Sequence, residues 1–168
     1  MNECKPSENN WTKVAVFAGG DRGHYRTDFD CFVGVDRGSL WVLEEKLPLA
    51  LAVGDFDSVT VEEGQLIQER SQHFVQAHPE KDDTDLELAL LTIFEKNPQA
   101  QVTIFGALGG RIDHMLANVF LPSNPKLAPY MRQIAIEDGQ NVISYCPEGT
   151  SQLQPRSDYD YLAFMPVR

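Results

Sequence analysis

The sequence predicts an α/β protein: a parallel, Rossmann-like sheet with helices on both faces, followed by antiparallel β structure. Three observations carry this reading. Short continuous apolar runs recur along the first two thirds of the chain, ending at Gly or Asp. Amphipathic helical stretches separate them. Beyond about residue 121 the pattern changes to brief strand-like runs divided by turn residues.

The strands come in order. Val14-Ala15-Val16-Phe17-Ala18, Cys31-Phe32-Val33-Gly34-Val35, Leu49-Ala50-Leu51-Ala52-Val53, a weaker His73-Phe74-Val75-Gln76-Ala77, and Val102-Thr103-Ile104-Phe105 are apolar without alternation. Continuous apolarity is what a strand covered on both faces requires. Between them, residues 39–46, 59–72, 85–97 and 112–121 have helical spacing. The clearest is 85–97, where Leu86, Ala89, Leu90, Ile93 and Phe94 form one stripe and Pro98 follows the end. Alternating strand and helix imply βαβ units. Pro122, Pro125 and Pro129 then mark a linker. The later runs 133–137, 141–146, 150–154 and 159–165 read as antiparallel strands, split by Asp138-Gly139, Pro147-Glu148-Gly149 and Pro155. The division expected is 1–128 for the α/β domain and 129–168 for part of a β domain. Such a short β segment suggests strands beyond Arg168 or pairing with another chain.

Composition narrows the function. With 168 residues, 25 acids and 14 bases, the net charge is −11. A nucleic-acid partner would want a basic face, so none is expected. No apolar run is long enough for a bilayer, the polar start has no signal-peptide core, and Cys4, Cys31 and Cys146 form no framework. The expectation is a cytoplasmic protein with reduced thiols.

In open α/β sheets ligands bind beyond the carboxyl ends of the strands. Those ends are Gly19-Gly20-Asp21, Asp36-Arg37-Gly38, Gly54-Asp55-Phe56-Asp57-Ser58, Lys81-Asp82-Asp83-Thr84-Asp85, and Gly106 through Gly109-Gly110-Arg111-Ile112-Asp113. Gly and Asp favour turns for structural reasons alone, yet five such ends converge on one rim. Alternation along an extended strand exit aims Asp55 and Asp57 at one space, where two carboxylates want a cation. Hard Mg²⁺ fits them and leaves room for phosphate oxygens. Asp82, Asp83 and Asp85 offer further carboxylates, and Lys81 could meet a phosphate. Thr84 with Glu87 matches a capping box, and Asp85 suits the helix dipole. The Gly109-Gly110-Arg111 turn can bind an anion through backbone N–H groups and the Arg111 fork; Asp113 caps the helix or orients Arg111. Trp41 reads as core, and His24, His73 and His78 lack ligand spacing.

Taken in order, these motifs resemble the thiamine pyrophosphokinase family. The resemblance rests on Gly54-Asp55-Phe56-Asp57-Ser58, on Lys81-Asp82-Asp83-Thr84-Asp85 with Glu87, and on Gly109-Gly110-Arg111-Ile112-Asp113-His114. It implies transfer of pyrophosphate from ATP to the hydroxyl of thiamine, with Mg²⁺, in a homodimer. It also implies a C-terminal β-sandwich that helps to bind thiamine, here only partial. By the same resemblance Asp55, Asp57 and Asp85 hold the metal and Asp82 supports them, while Arg111 and Asp113 position phosphate or thiamine. Gly20, Asp21, Asp36, Arg37 and Gly38 line the nucleotide, together with Lys81, Thr84, Gly109 and Gly110. Two other readings fit some residues: a metal-dependent phosphohydrolase with an Asp-x-Asp motif, and a non-catalytic nucleotide-sensing module. The first usually places its nucleophile after the first strand, whereas Asp55 follows the third.

Overall fold

The computed structural model describes residues 10–77, 83–154 and 156–166. Its framework is one sheet of seven strands in the order β4-β3-β2-β1-β5-β6-β7. The strands are β1 (Lys13–Ala18), β2 (Cys31–Val35), β3 (Leu49–Gly54), β4 (His73–Gln76), β5 (Gln101–Phe105), β6 (Ile134–Glu137) and β7 (Val142–Ser144). The helices are α1 (Gly38–Glu44), α2 (Val61–Arg70), α3 (Asp85–Lys96) and α4 (Ile112–Phe120). The five continuous apolar runs are the five parallel strands expected.

Burial explains why those runs do not alternate. Val14 and Val16 face one core with Leu86, Leu90, Ile93 and Phe94 of α3. Ala15 and Phe17 face the other, with Leu40 and Trp41 of α1 and Ile67 of α2. Successive strand residues point to opposite faces, so a sheet covered on both faces needs apolar residues at every position. Trp41 is core, as its stripe implied.

The region after α4 departs from the expectation. Gln133 to Glu137 was expected to pair antiparallel, yet β6 pairs parallel with β5, Val102 opposite Ile134 and Ile104 opposite Ile136. The proline-rich stretch folds as two 3₁₀ turns, Leu121–Ser123 and Ala128–Gln133. With α4 they form a crossover, and only a crossover lets β6 run parallel to β5. β7 then returns antiparallel on β6. Residues 134–144 thus continue the α/β sheet across the expected boundary at 128. The stretches 150–154 and 159–165, expected as strands, carry no strand assignment in their described residues.

One ion pair ties the loop after β1 to this added edge. Glu137 is buried, and Arg26 donates to both its oxygens, Nε to Oε1 at 2.9 Å and Nη2 to Oε2 at 3.2 Å. Removing one partner strands the other charge. Arg26→Ala is expected to cost about 2–3 kcal/mol of unfolding free energy, discounted because Arg26 is partly exposed. A denaturant midpoint measurement checks this, and an unchanged midpoint contradicts it.

Candidate active site

β1 lies between β2 and β5, so the chain order reverses between β1 and β5. That is the crevice where α/β sheets bind ligands. The loops at residues 19–21 and 106–110 flank it. Gly20 N–H donates to the Gly106 carbonyl at 3.1 Å, and a Cβ at position 20 would lie 2.4 Å from that oxygen. Gly109 (φ 86°) and Gly110 (φ 67°) take left-handed conformations at the exposed tip, with Asp21 against Gly109. The two loops are therefore held together, and Gly20 has a steric reason to be glycine.

Three carboxylates gather beside this crevice. Asp36 follows β2, Asp55 follows β3, and Asp85 opens α3. Each offers an oxygen within 4.8 Å of the other two. Asp36 has φ 47°, and its Oδ1 accepts from the Phe56 N–H at 3.2 Å. Gly54 leaves room for that carboxylate: a Cβ there would lie 1.9 Å from Asp36 Oδ1 and push the side chain out of this position. Burial pushes the Asp36 carboxyl up to about 7, aided by the charges of Asp85 and Asp55. Like charges crowded at one point repel, and a cation between them would relieve that repulsion.

Asp57 is not one of the three. Phe56 has φ 58°, so the chain leaves β3 through a left-handed residue and strand alternation ends there. Asp57 is exposed, and its N–H donates back to Asp55 Oδ1 at 3.1 Å. The expected pairing of Asp55 with Asp57 gives way to a group of Asp36, Asp55 and Asp85. Asp36, expected along the nucleotide, stands among the carboxylates instead.

Other expected residues have plain structural duties. Thr84 Oγ1 accepts from the Glu87 N–H at 3.1 Å and so caps α3, but the Glu87 side chain does not complete the box. It is buried and accepts from Asn124 Nδ2 at 3.0 Å. Gly38 lets α1 approach β1, for a Cβ there would lie 2.0 Å from the Phe17 carbonyl oxygen. Arg37 Nη1 donates to the Ser58 carbonyl at 3.3 Å. Arg111 forks onto its own neighbour, Nη2 to Asp113 Oδ2 at 2.6 Å and Nε to Oδ1 at 3.2 Å, and holds the Asp113 carboxyl below its usual range. Both side chains are exposed, so a phosphate would have to compete for that guanidinium. Lys81 and Asp82 lie outside the described residues.

Sequence reading missed Lys126. It pairs with Asp83 and lies 3.7 Å from Glu87, bringing a cation from the 3₁₀ linker to the start of α3. No local pattern marks it, since its partners are some forty residues earlier. The complete capping box is also elsewhere: Thr60 accepts from Glu63 N–H, and Glu63 accepts from Thr60 N–H at 2.8 Å.

A parallel α/β sheet with carboxylates gathered at its strand ends and glycine loops at its switch point defines a class, the α/β proteins that hold phosphorylated ligands there. The family described as "Thiamin pyrophosphokinase, catalytic domain" matches residues 23–131. The chain belongs to the thiamin pyrophosphokinase family, whose reaction is pyrophosphate transfer from ATP to thiamine. It is 33% identical over 159 residues to the thiamine pyrophosphokinase of Bacillus subtilis, covering 91% of this chain and 73% of that one. A thiamin pyrophosphokinase family protein from Enterococcus faecalis superposes with TM-score 0.78 at 48% identity, over 82% of this chain and 67% of that structure. The solved Bacillus subtilis thiamine pyrophosphokinase gives 0.62 at 34%, over 78% and 62%. The chain thus spans about two thirds of those structures' lengths.

The protonation of Asp36 has a measurable consequence. Asp36 holds its proton more tightly in the folded chain than in the unfolded one. The stability this adds is complete below about pH 4 and is lost as pH rises through about 7. A cation on the carboxylates must displace that proton. Mg²⁺ affinity is therefore expected to rise with pH up to about 7. Calorimetry in buffers of different ionisation enthalpy should find about one proton released near pH 6 and almost none near pH 8. Affinity flat across that range contradicts the assignment.

Proposed function

We propose that the chain catalyses Mg²⁺-dependent transfer of the pyrophosphoryl group of ATP to the hydroxyl of thiamine, giving thiamine diphosphate and AMP. The observation that carries it is the convergence of Asp36, Asp55 and Asp85 in a chain of this family. These three would hold Mg²⁺, whose contribution when bound is to neutralise and polarise the phosphates. Asp57, exposed outside this group, would contribute its charge from nearby, and by the family resemblance Asp82 would support the metal. The 19–21 and 106–110 loops, with Arg37, would line the nucleotide, Lys81 would meet its phosphates, and Arg111 with Asp113 would order phosphate or thiamine.

The hydroxyl oxygen of thiamine attacks the β-phosphorus. The bond from that phosphorus to the oxygen bridging it to the α-phosphorus breaks, and AMP leaves with that oxygen. The hydroxyl proton passes to a rim carboxylate. Positioning and charge neutralisation supply most of the acceleration.

The reading extends to assembly and location. Ile112, Leu116 and Phe120 form an exposed apolar stripe on α4, and Tyr161, Leu162, Phe164 and Met165 are exposed near the end of the described chain. A second copy in a homodimer would cover such faces. Residues 145–168 would begin the thiamine-binding β domain. A cytoplasmic site suits ATP as substrate and is supported by the free thiols of Cys31 and Cys146. Among the described residues no helix is long and apolar enough to cross a membrane.

Incubation with ATP and Mg²⁺, with and without thiamine, tests the reading. AMP that forms only with thiamine is the expected result. Inorganic phosphate released without thiamine would favour the phosphohydrolase, and nucleotide binding without turnover the sensing module.

A further inference from the structure

The start of α3 is crowded with negative charge. Asp83, Asp85 and Glu87 alternate along the chain, and Asp85 has an oxygen within 4.8 Å of both Asp36 and Asp55. Repulsion from those two carboxylates favours swinging Asp85 outward and taking the first helical turn with it.

One cation holds both flanks of Asp85. Lys126 Nζ donates to Asp83 Oδ1 and lies 3.7 Å from Glu87 Oε1, two residues before Asp85 and two after it. Asn124 reaches the same oxygen, with Nδ2 donating to Glu87 Oε1 at 3.0 Å. An exposed ion pair contributes little by itself. This one differs because Glu87 is buried, where a carboxylate needs partners, and because its two acids bracket a carboxylate of the site.

The segment that presents Lys126 is itself fixed along α3. Asn124 Oδ1 accepts from the Lys126 N–H at 3.0 Å, and the Asn124 carbonyl accepts from the N–H groups of Leu127 and Ala128 at 2.9 and 2.8 Å. Leu127 is fully buried in the core that holds Leu86 and Leu90. Tyr130 stacks on Phe94, with ring centroids 4.2 Å apart and planes 5° apart. At its other end the crossover is tied to the glycine loop, since Asn118 Nδ2 of α4 donates to the Ala107 carbonyl at 3.1 Å.

We propose that Lys126, braced by Asn124, is a positioning residue. It clamps Asp83 and Glu87 so that the Asp85 carboxylate stays against Asp36 and Asp55, ready for a divalent cation. The proposal rests on the reading of those three carboxylates as the metal site. It adds what holds them together before the metal arrives. Lys126 acts through Asp85 and not on the substrate.

A clamp and a merely nearby cation predict opposite signs. Removing a positive charge from an acidic site makes it more attractive to a divalent cation, so charge alone would tighten binding in Lys126→Met. Loss of a clamp weakens binding, as loss of the partners that orient a metal's ligands does.

The test uses the full chain and Mn²⁺ alone, with free Mn²⁺ read by electron paramagnetic resonance well below each variant's thermal midpoint. Lys126→Met and Asn124→Asp are the two variants. The second keeps an acceptor for the Lys126 N–H but sets a carboxylate against Glu87. Each makes the chain one charge more negative. The expected result is that both bind Mn²⁺ about tenfold more weakly despite the added negative charge, and that Lys126→Arg restores most of the Lys126→Met loss. Tighter or unchanged binding in either variant overturns the proposal, and so does a loss that Lys126→Arg leaves in full. Failure of the underlying metal reading looks different: Asp85→Asn then keeps wild-type Mn²⁺ affinity, and the proposal falls with it.

Discussion

Asp55→Asn is expected to lower turnover by at least about 1,000-fold, equivalent to about 4 kcal/mol of transition-state stabilisation, while the protein stays folded. Asp55 is central to the site: it is one of three carboxylates with oxygens within 4.8 Å, and it accepts the Asp57 N–H. Asparagine keeps the shape and the acceptor but halves the donor set and removes the charge. Without metal, three crowded carboxylates repel, so the variant's thermal midpoint is expected to equal or exceed that of wild type. Asp57→Asn provides the contrast. Its carboxylate lies outside the group, and its loss should cost about tenfold, the effect of a nearby charge rather than of a ligand. AMP formation and metal-free thermal unfolding are the two readouts. Asp55→Asn activity within tenfold of wild type, or an Asp57→Asn loss as large as that of Asp55→Asn, would count against this arrangement.

Gly38→Ala is expected to destabilise the fold by about 3 kcal/mol, a large part of the roughly 5–15 kcal/mol typical of a domain. The added Cβ would sit 2.0 Å from the Phe17 carbonyl oxygen and 3.0 Å from Gly19 N, both backbone atoms. Neither can move without shifting β1, the strand that β2 and β5 pair with on either side. A rotamer change cannot relieve the clash, unlike contact with a flexible side chain. If Gly38 served only the nucleotide, the variant would keep its stability and lose ATP affinity. A denaturant midpoint close to wild type with weakened ATP binding would therefore contradict the packing role.

What could be read without the structure follows from how local each signal is. Strands β1, β2, β3 and β5 were legible because burial on both faces makes nearly every residue apolar, as in Val14 to Ala18, whereas β4, at the sheet edge with His73 and Gln76 exposed, gave the weaker run. The helix over 85–96 was legible because Leu86, Ala89, Leu90, Ile93 and Phe94 face one core. The direction of β6 was not, since Ile134 and Ile136 have the same burial pattern in either pairing. What decides is the crossover through Leu121–Ser123 and Ala128–Gln133, a fact of chain path rather than of local pattern.

The site shows the same division. An acidic rim was evident from Asp residues at successive strand ends. Which of them meet depends on strand order and on one backbone dihedral. β2 and β3 are neighbours, so Asp36 comes beside Asp55, and the left-handed Phe56 carries Asp57 away. Asp113 was expected either to cap the helix or to orient Arg111; two residues apart, the pair is in contact, and each side chain occupies the other. Lys126 was invisible because its pairing with Asp83 depends entirely on the folded path of the linker.

Mn²⁺ binding tests most directly whether Asp36, Asp55 and Asp85 act as one cation centre. The titration is made on the full chain with α,β-methylene ATP, whose bridge between the α- and β-phosphorus resists cleavage. Asp36→Asn keeps an acceptor for the Phe56 N–H, so its effect reports charge and ligation rather than collapse of the turn. The predicted result is that Asp36→Asn and Asp85→Asn each weaken Mn²⁺ at least about tenfold, with Asp57→Asn weaker in effect than either. Wild-type Mn²⁺ affinity in Asp36→Asn and Asp85→Asn, with loss confined to Asp57→Asn, would contradict it.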